Sequence, residues 1–219
     1  MSQHANPASA YLWLDCDAYR APVGTARPDL SDMTPGAEYD GWEAYGGLEV
    51  GFSVSSEGSA TPKRVMNYRK AAYKVGREPK SDSVTFRSVD ASKAYLDTYL
   101  QGGRILHYPD GTYELDPGTG EEFALLLIAR DGQSAGGYIS NRVTTSTPPT
   151  EGAVDGDTMA GSEFTLTALE PLRKIYDSGL DEVLKDSDKV VQVDATGKER
   201  TSGDSGAVSG DTSSSDTEL

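Results

Sequence analysis

The sequence predicts a mainly β fold in which many strands accompany a single helix, and three observations carry that prediction. First, Leu48, Val50, Phe52 and Val54 alternate with Glu49, Gly51, Ser53 and Ser55, the period of two that marks a half-buried strand. Second, the same rhythm returns at Val84, Phe86 and Ser88 and again at Phe164, Leu166 and Ala168. Third, 24 glycines and abundant serine and threonine suit many strands joined by turns, while only one stretch keeps helical spacing.

In chain order, residues 1–40 read as an extended N-terminal arm. Residues 10–14 form a candidate first strand, and Pro7, Pro22, Pro28 and Pro35 discourage a long regular element nearby. Because the arm carries Tyr11, Trp13, Tyr19 and Leu30, it is expected to lie on a partner or on the protein's own core. Residues 41–177 form the β core. Strands are expected at 47–56, 63–68, 71–76 and 83–89, with Tyr73 and Val75 sharing a face. Asp90 then reads as the N-cap of a helix over 91–101, closed by Gly102 and Gly103. Tyr95, Leu96, Tyr99 and Leu100 give that helix one apolar stripe. Residues 105–108 and 112–115 flank Pro109-Asp110-Gly111, a hairpin turn. The apolar run within 121–130 reads as a central strand buried on both faces, although seven apolar residues also fit a helix. Strands at 137–145, 152–158 and 161–169 complete the set. Residues 178–219 form a C-terminal extension with a short helix at 178–184. Beyond 193 the extension is Ser, Gly, Thr and Asp, too polar to offset its ordering entropy.

The formal net charge is −15. Such a surface repels nucleic acid and anionic membranes, and solubility alone also explains it. The charge is uneven: between 63 and 104 ten basic side chains face only Glu78, Asp82, Asp90 and Asp97. This basic segment suits a self-complementary assembly, or it is a solvated hairpin. Cys16 is the one cysteine, so no intrachain disulfide forms. No apolar run is long enough to span a membrane and no secretory leader is recognised, so synthesis and folding in a reducing cytoplasm are expected.

Catalytic motifs fail on their own chemistry. Gly203-Asp204-Ser205-Gly206 matches the surroundings of a protease nucleophile, yet it lies in the low-complexity tail. His4 and His107 are in no context for a general base. Asp155-Gly156-Asp157 lacks the alternating ligands of a calcium loop and reads as a turn. One Cys and two distant His do not make a zinc site; His107 reads as a partly buried structural residue. Gly102-Gly103 and Gly118-Thr119-Gly120 end a helix and make a turn, so neither is a phosphate loop. Nucleic-acid readout by the basic segment, with Tyr68 and Tyr73 as stacking groups, conflicts with the overall charge. No enzyme activity, cofactor or metal is expected.

Residues 42–172 resemble, in the arrangement of their elements, the major tail tube proteins (major tail subunits) of long-tailed bacteriophages, especially those infecting actinobacteria. The likeness rests on Trp42, Gly46 and Gly47 leading into the alternating strand with its acidic end at Glu57, then a basic loop region and a second strand pair over 71–89. The helix ending in Gly102-Gly103, the run 121–130 and the strand 162–169 follow in the same order. Asp90 stands where many relatives carry Glu, and residues 1–40 and those beyond 193 fall outside the match.

The resemblance implies a tail-tube-like β-sandwich or barrel with one flanking helix, assembling as hexameric rings that stack into a tube and conduct the genome into the host. Sheet edges become joints between copies. Duplex DNA carries roughly one negative charge per 1.7 Å, so an acidic wall lets it slide; strand parity offers Glu49 and Glu57 for that wall. Residues 58–82 are expected to contact the next ring, with Lys63, Arg64, Arg69, Lys70, Lys74 and Arg77 as the inter-ring set. The implied partners are further copies of the chain, a tape measure protein, a tail terminator and double-stranded DNA passing without specific binding, with no membrane insertion and a place in the virion tail. The alternative is a phage-borne decoration or adhesin module that binds host carbohydrate, which stays small where a tube subunit polymerises.

Overall fold

A computed structural model of the protein describes residues 12–63, 74–177, 189–193 and 198. The chain divides into two units, residues 1–180 and 181–219. Of the second, only 189–193 and 198 are described, and Val190, Val191 and Val193 are exposed there. The expected helix at 178–184 and the tail beyond 193, apart from Lys198, lie outside the described residues.

The first unit is mainly β. Its strands are β1 (Asp15–Pro22), β2 (Glu43–Ala44), β3 (Leu48–Glu57), β4 (Ala60–Lys63), β5 (Lys74–Arg77) and β6 (Ser81–Ser88). Helix α1 (Lys93–Leu100) follows, then β7 (Arg104–His107), β8 (Tyr113–Asp116), β9 (Glu122–Arg130) and β10 (Ala135–Thr145), and finally β11 (Thr150–Glu151), β12 (Ser162–Ala168) and β13 (Arg173–Tyr176). The main sheet is antiparallel with order β2-β1-β9-β10-β12-β6-β3, while β11 pairs β12 and β13 pairs β10. The strand pairs β4-β5 and β7-β8 stand apart as two-stranded ribbons.

The run at β9 is a strand, and it is buried on both faces. Phe123, Leu125 and Leu127 enter one core cluster with Val84, Phe86, Phe164 and Leu166. Ala124, Leu126 and Ile128 enter a second with Tyr19, Tyr39, Trp42 and Ile175. Its five large side chains contribute roughly 10 kcal/mol of gross transfer energy, and ladders to β1 and β10 on its two edges satisfy the backbone that a helix would have satisfied internally. Ala18 of β1 and Phe86 of β6, four strands apart in the order, share one cluster, so the sheet curls. A register shift between Ser140 and Val143 bends β10, whose first half pairs β13 and second half β12. The buried Ser140 hydroxyl donates to the carbonyl of Glu170 at 3.0 Å, tying the bend to the exit of β12. The two ends of the strand order, β2 and β3, are consecutive in the chain, yet no ladder joins them and the sheet is not closed.

Several expectations shift. The first described strand is Asp15–Pro22, with Pro22 at its last position; of the expected strand at 10–14, residues 12–14 are not strand and 10–11 lie outside the described residues. Pairing to β9 along the length of β1 overrides the weak local propensity of its aspartates. Much of the expected arm therefore lies on the protein's own core. Val50 was placed on the apolar face by alternation but is 89% exposed. Leu48 pairs Ser88 and Phe52 pairs Phe86, so Glu49, Val50 and Gly51 together oppose Arg87 alone. Gly51 at φ +84 accommodates this bulge. The helix is capped by Ser92, whose Oγ accepts from the Tyr95 amide at 3.1 Å. Asp90 is not the cap; its carboxylate accepts from the Gly47 amide at 2.7 Å. Ala94, Thr98 and Leu100 are the buried residues of α1, while Tyr95 and Tyr99 pack partly buried against the first cluster. Gly118-Thr119-Gly120 does more than turn. The Gly118 and Gly120 amides donate to the carbonyls of Leu100 at 2.7 Å and Gln101 at 3.2 Å, satisfying the open end of α1. Only Thr150–Glu151 pairs in the region of the expected strand at 152–158. There the Asp155 carboxylate accepts from the amides of Asp157 and Thr158 at 3.0 and 2.9 Å, local bonds that compete with a ladder.

Close backbone approach makes Gly137 a sensitive position. It lies on β10 between Ile128 of β9 and Ile175 of β13, and a Cβ there would collide with the carbonyl of Leu127. Gly137→Ala is expected to cost about 3 kcal/mol as the ladder is pushed apart and to lower Tm by roughly 6 °C or more. An unchanged thermal midpoint would contradict the assigned register.

Candidate functional site

Strands β3 and β6 run beyond the sheet into the ribbon β4-β5. Ala60 pairs Arg77, Thr61 pairs Gly76, Pro62 pairs Val75 and Lys63 pairs Lys74. All eight ribbon residues are exposed, so neither face has a core beneath it, and a bare two-stranded ribbon is marginal in water. Lys63 and Lys74 stand directly opposite one another, a like-charge pair that weakens the ladder. Lys80 and Arg77 extend the basic surface, opposed by Glu78, which accepts from the Ser59 hydroxyl at 2.5 Å. Lys63, Lys74 and Arg77 of the expected inter-ring set thus share one projection. Arg64, Arg69 and Lys70, with Tyr68 and Tyr73, lie outside the described residues.

The outward face of β3, β6 and β12 carries hydroxyls in register. Ser53, Thr85 and Thr165 form one row and Ser55, Ser83 and Thr167 the next, with Ser55 and Ser83 hydroxyls 2.7 Å apart. Glu49 and Glu57 both lie on this face. Glu49 is bound to Arg87 at 3.0 Å, so its charge is offset, whereas Glu57 at the end of β3 is exposed opposite Ser81. Arg87 also pairs across the ladder with Glu163 and donates to the carbonyl of Met159 at 2.7 Å.

Two of the clefts on the body bear on the site. One, of about 510 Å³, separates the start of β1 from β3 and is lined by Trp13, Cys16, Gly51 and Phe52 among others. Burial and the flanking Asp15 and Asp17 push the Cys16 thiol up, which slows thiolate chemistry there. The other, of about 750 Å³, is lined by Tyr19, Tyr39 and Trp42 together with Asp17, Glu38, Asp40 and Glu43. Asp17 pairs Arg130 at 2.7 Å and Glu43 pairs Lys93 at 3.2 Å; Glu38 and Asp40 are exposed and neither forms an ion pair within the described structure. Burial also pushes the Tyr19 phenol far up, reinforced by Asp17, so it stays neutral and donates to the Ala37 carbonyl at 2.8 Å. Sequence reasoning assigned no role to this cleft. Its signal in the sequence is the acidic and aromatic succession Glu38-Tyr39-Asp40-Gly41-Trp42-Glu43.

Polar groups under α1 are structural in arrangement. The buried Arg20 guanidinium donates to Thr98 Oγ1 at 2.9 Å, pairs Glu121 at 2.7 Å and lies 4.3 Å from the centre of the Phe123 ring. Tyr45 shares the same Thr98 hydroxyl at 2.7 Å, and complete burial pushes its phenol far up. His107 is not buried; it is exposed and stacks on Tyr113 with ring centres 4.4 Å apart. Among the described residues no cluster of three His, Cys, Asp or Glu has metal-binding geometry. No protein-family model matches the sequence, and no curated protein matches it.

Proposed function

We propose that this chain is a structural virion protein that assembles as stacked hexameric rings into a phage tail tube, the channel through which the genome reaches the host. The observation that carries the reading is the β4-β5 ribbon. A basic projection exposed on both faces, with opposed lysines and no core, is poorly stabilised in a lone subunit and well suited to a neighbour's surface. The open strand order supports the same conclusion, because β3 presents a long free edge that another strand can pair. In this reading the sheet forms a small barrel or sandwich within each ring, and the hydroxyl face with Glu49 and Glu57 lines the bore. Phosphates meet serines, threonines, the offset charge of Glu49 and the exposed carboxylate of Glu57 there, so duplex DNA passes without being held. The segment 58–82 contacts the adjoining ring, with Lys63, Arg64, Arg69, Lys70, Lys74 and Arg77 as the inter-ring set. Tape measure and tail terminator proteins occupy the bore and the end of the tube, and the assembled product resides in the virion tail.

Negative-stain electron microscopy of the purified full chain tests this directly. Hollow tubes or six-fold rings are expected at concentrations where subunits meet readily. A protein that stays monomeric at every concentration and instead binds a glycan would replace the tube with the decoration or adhesin reading.

A further inference from the structure

We infer that the acidic aromatic cleft formed by residues 36–46 is the docking site for the β4-β5 ribbon of a second copy of this chain. The inference rests on the assembly reading and deepens it by naming the acceptor surface. The donor side is a projection whose Lys63 and Lys74 face each other across the ladder. With Arg77 and Lys80 they form no ion pair within the described structure, so among the described residues nothing offsets their mutual repulsion.

The acceptor side is concave, about 750 Å³ in volume, with the complementary chemistry. Tyr19, Tyr39 and Trp42 give it aromatic walls, and Glu38 and Asp40 contribute two carboxylates that nothing else in the described structure neutralises. The rings are buried in the core and back the cleft, while a lysine ammonium entering it meets the exposed Glu38 and Asp40 carboxylates, which hold a cation by charge-assisted hydrogen bonds. The wall is also rigid. Tyr39 donates to the Asp32 carbonyl at 2.7 Å, the Trp42 indole donates to the Ala26 carbonyl at 3.3 Å, and Tyr19 and Tyr39 pack edge to face at 5.1 Å. A preformed acceptor loses little freedom when a ribbon settles on it. Charge complementarity selects a second copy as the occupant: the basic projection of the described chain matches a hollow in which Glu38 and Asp40 form no ion pair within the described structure. Duplex DNA, the other polyanion a basic ribbon could meet, leaves the acidic cleft without a role.

The test is a charge swap read by light scattering and electron microscopy. Glu38→Lys with Asp40→Lys is expected to raise the critical concentration for tube growth at least tenfold, and Lys63→Glu with Lys74→Glu to do the same. All four substitutions together are expected to restore growth substantially, because the complementarity is then reversed instead of removed. Wild-type growth should also weaken as salt rises, since these charges are exposed. Circular dichroism on each variant separates a docking defect from misfolding, and restoration in the fourfold variant excludes misfolding independently. Tubes from the Glu38/Asp40 variant at the wild-type concentration, with the ribbon variant still defective, would overturn the cleft while leaving the tube reading intact. Salt-dependent DNA binding by the ribbon with unaltered assembly in all variants would also overturn it. Absence of any wild-type assembly removes both the cleft and the function it deepens.

Discussion

Arg130→Ala is expected to destabilise the folded chain by about 3 kcal/mol, lowering Tm by roughly 6–12 °C. The side chain is only 6% exposed and pairs Asp17 at 2.7 Å and Asp15 at 3.2 Å. It also donates to the Thr34 carbonyl at 2.9 Å and to that of Met33. These bonds fasten the segment after β1 onto the end of β9, over the second core cluster where Leu30, Met33 and Ala37 pack. Removal strands two backbone carbonyls and lifts that segment, and the acidic cleft loses its base with it. Asp15 is half exposed, so Asp15→Asn should cost under about 1 kcal/mol. Lysine at 130 keeps the charge without the forked donors, so it should recover only part of the loss. Equal melting temperatures for the Ala variant and wild type would show that the segment is held by apolar packing alone.

Excising the ribbon is expected to separate assembly from folding. The Glu78 amide donates to the Ser59 carbonyl at 3.0 Å, so residues 59 and 78 already stand at hairpin distance. Replacing 60–77 with Asn-Gly gives the two-residue turn that such strands accept. The described residues removed are all exposed, so Tm should move by only a few degrees. Tube growth should nevertheless be lost at every concentration reached. Tubes from this shortened chain would take the stacking role away from the segment 58–82, and a collapse of the β circular dichroism signal would show that the projection supports the body.

The strands over 48–57, 81–88, 122–130 and 162–168 were legible because each writes its burial into a period of two or an unbroken apolar run. The hairpin around Pro109-Asp110-Gly111 was legible because turn chemistry is local. Val50 and Asp90 were misplaced for one reason: the bulge at Gly51 and the bond that holds Asp90 to the Gly47 amide depend on what lies opposite, which the local pattern does not contain. The segment 15–22 looked like part of an arm because its aspartates and proline argue locally against a strand, while ladders to β9 and β2 argue for one. The acidic cleft escaped notice because the succession from Glu38 to Glu43 becomes the wall of a hollow only when that segment packs on Tyr19 of β1.

Composition and periodicity by themselves determined a β-rich chain with one helix and a basic stretch within an acidic whole, since propensity, alternation and charge are properties of neighbours along the chain. Tertiary structure alone decided that Lys63, Lys74 and Arg77 of this stretch share an uncovered ribbon, that Glu49 is neutralised by Arg87, and that residues 36–46 close an acidic hollow against Asp17 and Tyr19 of β1. Those outcomes depend on distances between residues far apart in sequence, and only pairing and packing set such distances.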